Sequence, residues 1–152
     1  MPTVYRFDIE EAAVRPDRAD AFRSLIRTLF NRRNQDYVTG QERMWLQAEL
    51  VQTVRRASRI YRETMSTPTS GPLPFALGYL RIRDGQVDPV SDTVPATLSP
   101  EQLARLLSEF VEPGAVLSFP DANETWRIEG IDALALLSSS VNQDAQEAQD
   151  AA

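Results

Sequence analysis

The sequence predicts an α+β fold: an N-terminal strand and an antiparallel helical hairpin packed with a mostly antiparallel sheet made of two hairpins separated by a helix. Three observations predict it. Residues 3–10 alternate between apolar and polar, two long stretches before residue 66 repeat with helical periodicity, and two strand–turn–strand patterns follow residue 75.

The chain has 152 residues, enough for one hydrophobic core. Residues 1–137 are therefore interpreted as a single domain. Its helical-hairpin half spans 1–66, a linker rich in Pro, Ser and Thr spans 66–74, and its hairpin-helix-hairpin half spans 75–137. Residues 138–152 offer little to bury, so a mobile acidic tail is expected there.

The first strand should bury Tyr5, Phe7 and Ile9, which lie on one face of the alternating stretch. Pro16-Asp17 then indicates a helix start, with Asp17 as its cap and an end near Asn34. The apolar stripe of this helix comprises Phe22, Leu25, Ile26, Leu29 and Phe30.

A second helix is expected from about Gln41 to Met65, because this stretch contains neither Gly nor Pro and keeps its periodicity throughout. A short polar turn separates it from the first helix, which favours an antiparallel pair. Its predicted core stripe comprises Leu46, Leu50, Val54, Ala57, Ile60, Tyr61 and Met65.

In the second half, residues 75–83 and 86–90 are predicted to form a hairpin across Asp84-Gly85. Ser99-Pro100-Glu101-Gln102 has the pattern of a capping box at a helix start. Residues 115–119 and 125–129 form the second predicted hairpin, with Trp126 as a core or cross-strand anchor. Residues 131–137 are compatible with helix or strand, and we favour a helix.

The composition excludes many kinds of active site. All 16 basic residues are arginine, and the chain has no Lys, His or Cys. Imidazole bases, thiol nucleophiles, Schiff-base lysines and Walker-type phosphate loops are therefore impossible. An enzyme is disfavoured and no cofactor is expected. An enzyme relying on carboxylates or a bound divalent metal stays open, with Asp84, Asp88, Asp92, Asp121 and Glu124 as weak metal-ligand candidates.

The use of arginine alone has two explanations: codon bias in a GC-rich genome, which points to a bacterial or phage source, or selection for guanidinium chemistry. Charge is also uneven. Residues 1–66 carry 12 arginines and 9 acidic residues, whereas residues 67–152 carry 4 and 13. With no signal-peptide pattern and no membrane span visible, a soluble cytoplasmic protein is expected.

The strongest candidate site is the outer face of the second helix, since Trp and Arg are enriched at binding hot spots. We predict a non-enzymatic protein-binding module, adaptor or regulatory in type, that contacts a protein partner or a second copy of itself. An indole among guanidinium groups could also bind nucleic acid, and Glu49 and Glu63 could instead make this an ordinary solvated face. The predicted binding residues are Trp45, Gln52, Arg55, Arg56, Arg59 and Arg62.

Overall fold

The computed structural model describes residues 4–32 and 40–138, and within them the chain has the expected α+β architecture. The α-helices are α1 (Ala19–Arg32), α2 (Gly40–Ala57) and α3 (Pro100–Leu107). The strands are β1 (Val4–Arg6), β2 (Asp8–Glu10), β3 (Leu80–Arg83), β4 (Gln86–Pro89), β5 (Thr93–Pro95), β6 (Val116–Phe119), β7 (Glu124–Gly130) and β8 (Ala133–Ser138). All the pairings between these strands are antiparallel.

The predicted N-terminal strand divides at Phe7 between two sheets. β1 pairs with β5, whereas β2 joins the four-stranded sheet in the order β2-β6-β7-β8. The backbone N–H of Phe7 donates to the carbonyl of Asp92 at 3.0 Å between these pairings. Tyr5, Phe7 and Ile9 are buried as their alternation predicts, with the Phe119 ring 5.2 Å from Tyr5 and 5.3 Å from Phe7.

A 3-10 turn over Pro16–Arg18 precedes α1, so the prediction that Asp17 caps the helix is wrong. The cap position of that turn is held by Arg15, which makes no side-chain capping bond. The predicted helix end near Asn34 lies outside the described residues. Of the α1 stripe, Phe22, Leu25 and Leu29 are buried, Ile26 is half-buried and Phe30 is exposed.

The prediction of one continuous helix from Gln41 to Met65 is wrong. α2 ends at Ala57, and after a break at Ser58 the chain forms a π-helical turn over Tyr61–Met65. Of the predicted stripe, Leu50, Val54, Ile60, Tyr61 and Met65 are buried, whereas Leu46 and Ala57 are half-buried. Arg18, just before α1, donates to the carbonyl of Ala57 at the end of α2, which fits the antiparallel packing of the two helices.

A buried carboxylate that is distant in sequence binds the donors at the break. Glu109, just beyond α3, accepts hydrogen bonds from the Ser58 hydroxyl at 2.7 Å and from the N–H groups of Arg59 at 3.2 Å and Ile60 at 2.6 Å. The Arg18 guanidinium lies 3.8 Å from the same carboxylate. Because these bonds satisfy the donors that a helix interruption frees, the chain can turn here without proline or glycine.

The β3–β4 hairpin confirms the predicted turn, since Asp84 and Gly85 both have positive φ, 53° and 76°. The prediction of a strand from residue 75 is wrong, because Phe75–Tyr79 forms a 3-10 helix instead. Within it, Gly78 presses against α1: a Cβ there would lie 2.8 Å from the backbone nitrogen of Phe30. The 3-10 segment therefore packs against helix α1 instead of pairing with a strand.

The capping box of α3 and the β6–β7 hairpin are confirmed. The Ser99 hydroxyl accepts from the N–H of Gln102, whose side chain accepts in return. The preference for a helix at 131–137 is wrong, because β8 pairs with β7. Leu134 lies opposite Ile128 and Leu136 opposite Trp126, so β8 leucines extend the apolar side of the sheet, which local periodicity could not reveal.

One cluster of buried side chains draws on both halves of the sequence. At its centre the Phe22 ring of α1 stacks on Phe110 at 4.9 Å, and the Arg18 guanidinium lies 5.0 Å from the centre of the Phe110 ring. In the described ranges no helix is long and apolar enough to cross a membrane. The predicted tail at 138–152 is wrong at its first residue, because Ser138 ends β8, and the rest of it is outside the described residues.

Replacing Glu109 should show how much the helix break depends on its carboxylate. Glu109→Ala leaves the N–H groups of Arg59 and Ile60 without their acceptor, so the free energy of unfolding should fall by about 3 kcal/mol. Urea titration followed by circular dichroism measures this. Glu112→Ala, at a half-buried neighbouring glutamate, is the control, and an equal loss in both variants would contradict the proposed role.

Candidate functional site

Trp45 and Arg56 lie on the outer face of α2, as the helical projection predicts. Trp45 is 69% exposed, the most exposed of the large apolar side chains in the described residues, and Arg56 is exposed as well. The two are separated by 11 positions, close to three helical turns, so both project from the same side. We call this surface, with Trp45 and Arg56 as its exposed members, the α2 face.

Three of the other predicted residues hold the chain together around the helix break. Arg55 donates to the carbonyl and hydroxyl oxygens of Ser66 at 3.1 and 3.0 Å, and the Gln52 amide donates to the carbonyl of Pro68. The Arg62 guanidinium lies 3.4 Å from the carbonyl of Arg55. Gln52, Arg55 and Arg62 therefore stabilise the chain around the break.

Arg59 lies beyond the break and is therefore no longer part of the α2 helix. Its side chain is 61% exposed and makes an ion pair with Glu63 at 3.9 Å. An exposed pair at this distance contributes little to stability, so the guanidinium can exchange Glu63 for another carboxylate.

A shallow cleft of about 260 Å³ borders the α2 face where α1 and α2 pack together. Its walls carry small and hydroxyl-bearing side chains, among them Ser24 and Thr28 from α1 and Thr53 from α2. Arg56 lies at the α2 side of this cleft. The α2 face therefore has a concave surface next to Arg56.

A second concave surface lies on the other side of α1 and was not among the predicted sites. This groove of about 350 Å³ runs between α1 and β3, with Val90 from the end of the hairpin. We call it the arginine groove, after Arg23 and Arg27 of α1 and Arg81 of β3. The available signal was the spacing of 23, 27 and 30 on one helix, which places two arginines beside Phe30.

Three of the five weak metal-ligand candidates have other contacts. Asp88 binds the guanidinium groups of Arg81 at 3.4 Å and Arg83 at 3.1 Å. Asp121 accepts from the backbone N–H of Arg6 at 2.9 Å, and Glu124 accepts from the Trp126 indole at 3.0 Å. Across residues 4–32 and 40–138, no three His, Cys, Asp or Glu side chains come together as a metal site.

The clearly shifted pKa values belong to core and ion-pair groups. Burial raises the pKa of Tyr5, with a smaller contribution from Glu124, and the Tyr5 hydroxyl donates to the carbonyl of Leu98 at 2.8 Å. Burial also raises the pKa of Tyr61 to about 12, partly opposed by Arg55. Hydrogen bonds to Glu101 and Asp132 raise the pKa of Arg105. Neither tyrosine lines the α2 face or the arginine groove.

No protein-family model, curated protein or solved structure gives a significant match to this chain. A functional assignment therefore rests on its own surfaces.

Replacing Tyr61 tests how its buried hydroxyl affects stability. Its oxygen has no hydrogen-bond partner among the described residues, so Tyr61→Phe should raise the free energy of unfolding by about 1 kcal/mol at neutral pH. The pKa of tyrosine is near 10 in the unfolded chain and about 12 for Tyr61 in the folded protein. As pH rises from 10 to 12, the unfolded state therefore loses the Tyr61 proton first, and this ionisation lowers the free energy of unfolding.

Urea unfolding at pH 8 and pH 11 measures both effects. Between these pH values Tyr61→Phe should lose about 1 kcal/mol less stability than the wild type. Tyr79→Phe, at a half-buried tyrosine, is the control. Equal alkaline losses in wild type and Tyr61→Phe would show that Tyr61 does not ionise with a raised pKa.

Proposed function

We propose that this chain is a non-enzymatic protein-binding module, adaptor or regulatory in type, and that the α2 face with Arg59 contacts the partner. The observation that carries the proposal is the exposure of Trp45, 69% of which faces solvent on a helix. Covering an exposed indole contributes about 3 kcal/mol to association, which is enough to anchor a specific interface.

Charge supports a partner with acidic groups near its apolar contact. Arg56 is exposed on the same side of α2 as Trp45, close to three helical turns along the helix, and the Arg59 side chain is held only by its long ion pair with Glu63. Guanidinium groups at the rim of an aromatic contact select for carboxylates and accelerate encounter. The net charge of −6 for the whole chain favours a protein over the polyanionic backbone of nucleic acid.

The composition supports binding rather than catalysis. The chain lacks the imidazole, thiol and amine groups that most catalytic sites use, and the cytoplasm is the proposed compartment because a cysteine-free chain suits a reducing environment. A bacterial or phage source is the matching proposal for its lysine-free composition.

The double variant Arg56→Glu with Arg59→Glu tests the α2 face. Neither side chain is buried, so the free energy of unfolding should change by less than about 1 kcal/mol. Capture of the partner from the native host should fall at least about tenfold, because two attractive charges become repulsive. Trp45→Ser should cause a loss of similar size.

The measurement is an affinity pull-down with quantitative mass spectrometry, with Arg127→Glu on β7 as the control charge reversal. Capture that is insensitive to the changes at Trp45, Arg56 and Arg59 would refute the proposal. Captured material that disappears on nuclease treatment, with an affinity that falls steeply as salt rises, would assign the face to nucleic acid instead.

A further inference from the structure

The floor of the arginine groove is apolar because part of the apolar stripe of α1 does not pack against the core. The apolar side of α1 is wider than the surface that packs inward, so Ile26 is only half-buried and Phe30 stays 44% exposed. Val90, across the groove, is 59% exposed. These side chains lie together in one concave surface rather than singly, which is typical of a binding surface.

The rim of the groove has one sign of charge. Its described lining contains Arg23, Arg27 and Arg81 and no acidic residue. Arg23 meets Asp20 only at 3.9 Å, and Arg81 shares Asp88 with Arg83, whereas Arg27 makes no ion pair with any described residue. In a chain of net charge −6, three arginines around an apolar floor form a local field that attracts anions.

The close approach of Gly78 to α1 keeps the two walls in place. A Cβ on Gly78 would lie 2.8 Å from the Phe30 nitrogen and 3.0 Å from its Cα, so the chain leading into β3 packs directly on the helix backbone. Phe30 and β3 are therefore fixed relative to each other by backbone contact. A groove with such walls needs little rearrangement to bind a ligand.

From these features we propose that the arginine groove is a second binding site, which takes an acidic segment of a partner protein in which carboxylates flank large apolar side chains. Apolar side chains of that segment cover Ile26, Phe30 and Val90, and its carboxylates bind the three guanidinium groups. The site is separate from the α2 face, so either one can bind without the other.

Selection from a displayed library of random peptides on the immobilised full-length chain tests this site directly. The enriched peptides should be acidic and contain Leu, Ile, Phe or Trp. Fluorescence anisotropy should show their affinity falling at least about tenfold in Arg27→Glu and remaining within about twofold in Arg127→Glu, at an arginine of β7 that does not line the groove. Arg27 is exposed, so its reversal should leave the thermal unfolding curve in place.

Several outcomes would contradict the groove proposal. Enrichment of neutral or basic peptides, no enrichment at all, or binding that Arg27→Glu leaves unchanged would overturn the groove proposal without touching the α2-face proposal. Concentration-dependent self-association that Arg27→Glu abolishes, measured by analytical ultracentrifugation, would identify a second copy of the chain as the occupant and also overturn it.

Discussion

The carboxylate of Glu109 holds the helical half of the molecule in its observed shape. It accepts hydrogen bonds from Ser58, Arg59 and Ile60 and lies beside the Arg18 guanidinium, so one buried group joins the end of α2, the start of α1 and the segment after α3. A buried carboxylate is stable only when such donors surround it. The turn that it supports carries Arg59 away from the α2 helix and leaves Trp45 and Arg56 as the exposed pair.

The arginines of the two halves of the sequence differ in whether they make ion pairs in the fold. In the second half, the side chains of Arg81, Arg83, Arg105 and Arg127 all bind neighbouring carboxylates. In the first half, Arg27 and Arg56 make no ion pair with described residues, and each projects from the same helix as an exposed aromatic side chain, Phe30 for Arg27 and Trp45 for Arg56. The positive charge that is not neutralised by ion pairs between described residues is therefore concentrated in the helical half.

Sequence reasoning succeeded where neighbouring residues determine the structure. The capping box at Ser99 and the Asp84-Gly85 turn each depend on a few adjacent residues, and both were predicted correctly. It failed where a distant residue decides. The break at Ser58 needs Glu109, 51 positions away, and no local pattern announces it. The exposed location of Trp45 followed from periodicity, whereas the arginine groove required knowing that β3 packs beside α1 and leaves Phe30 at its edge.

The outer strand of the four-stranded sheet, β8, has features that bear on whether another chain can add to the sheet. β8 carries no charged side chain and exposes Leu136 and Leu137, which would ordinarily invite other chains to add to the sheet. Its pairing with β7 shifts register near both ends, so only Leu134, Ala135 and Leu136 keep a regular ladder. Irregularities of this kind bend a strand and interrupt its ladder, which makes the edge that β8 forms less suited to the addition of a further strand.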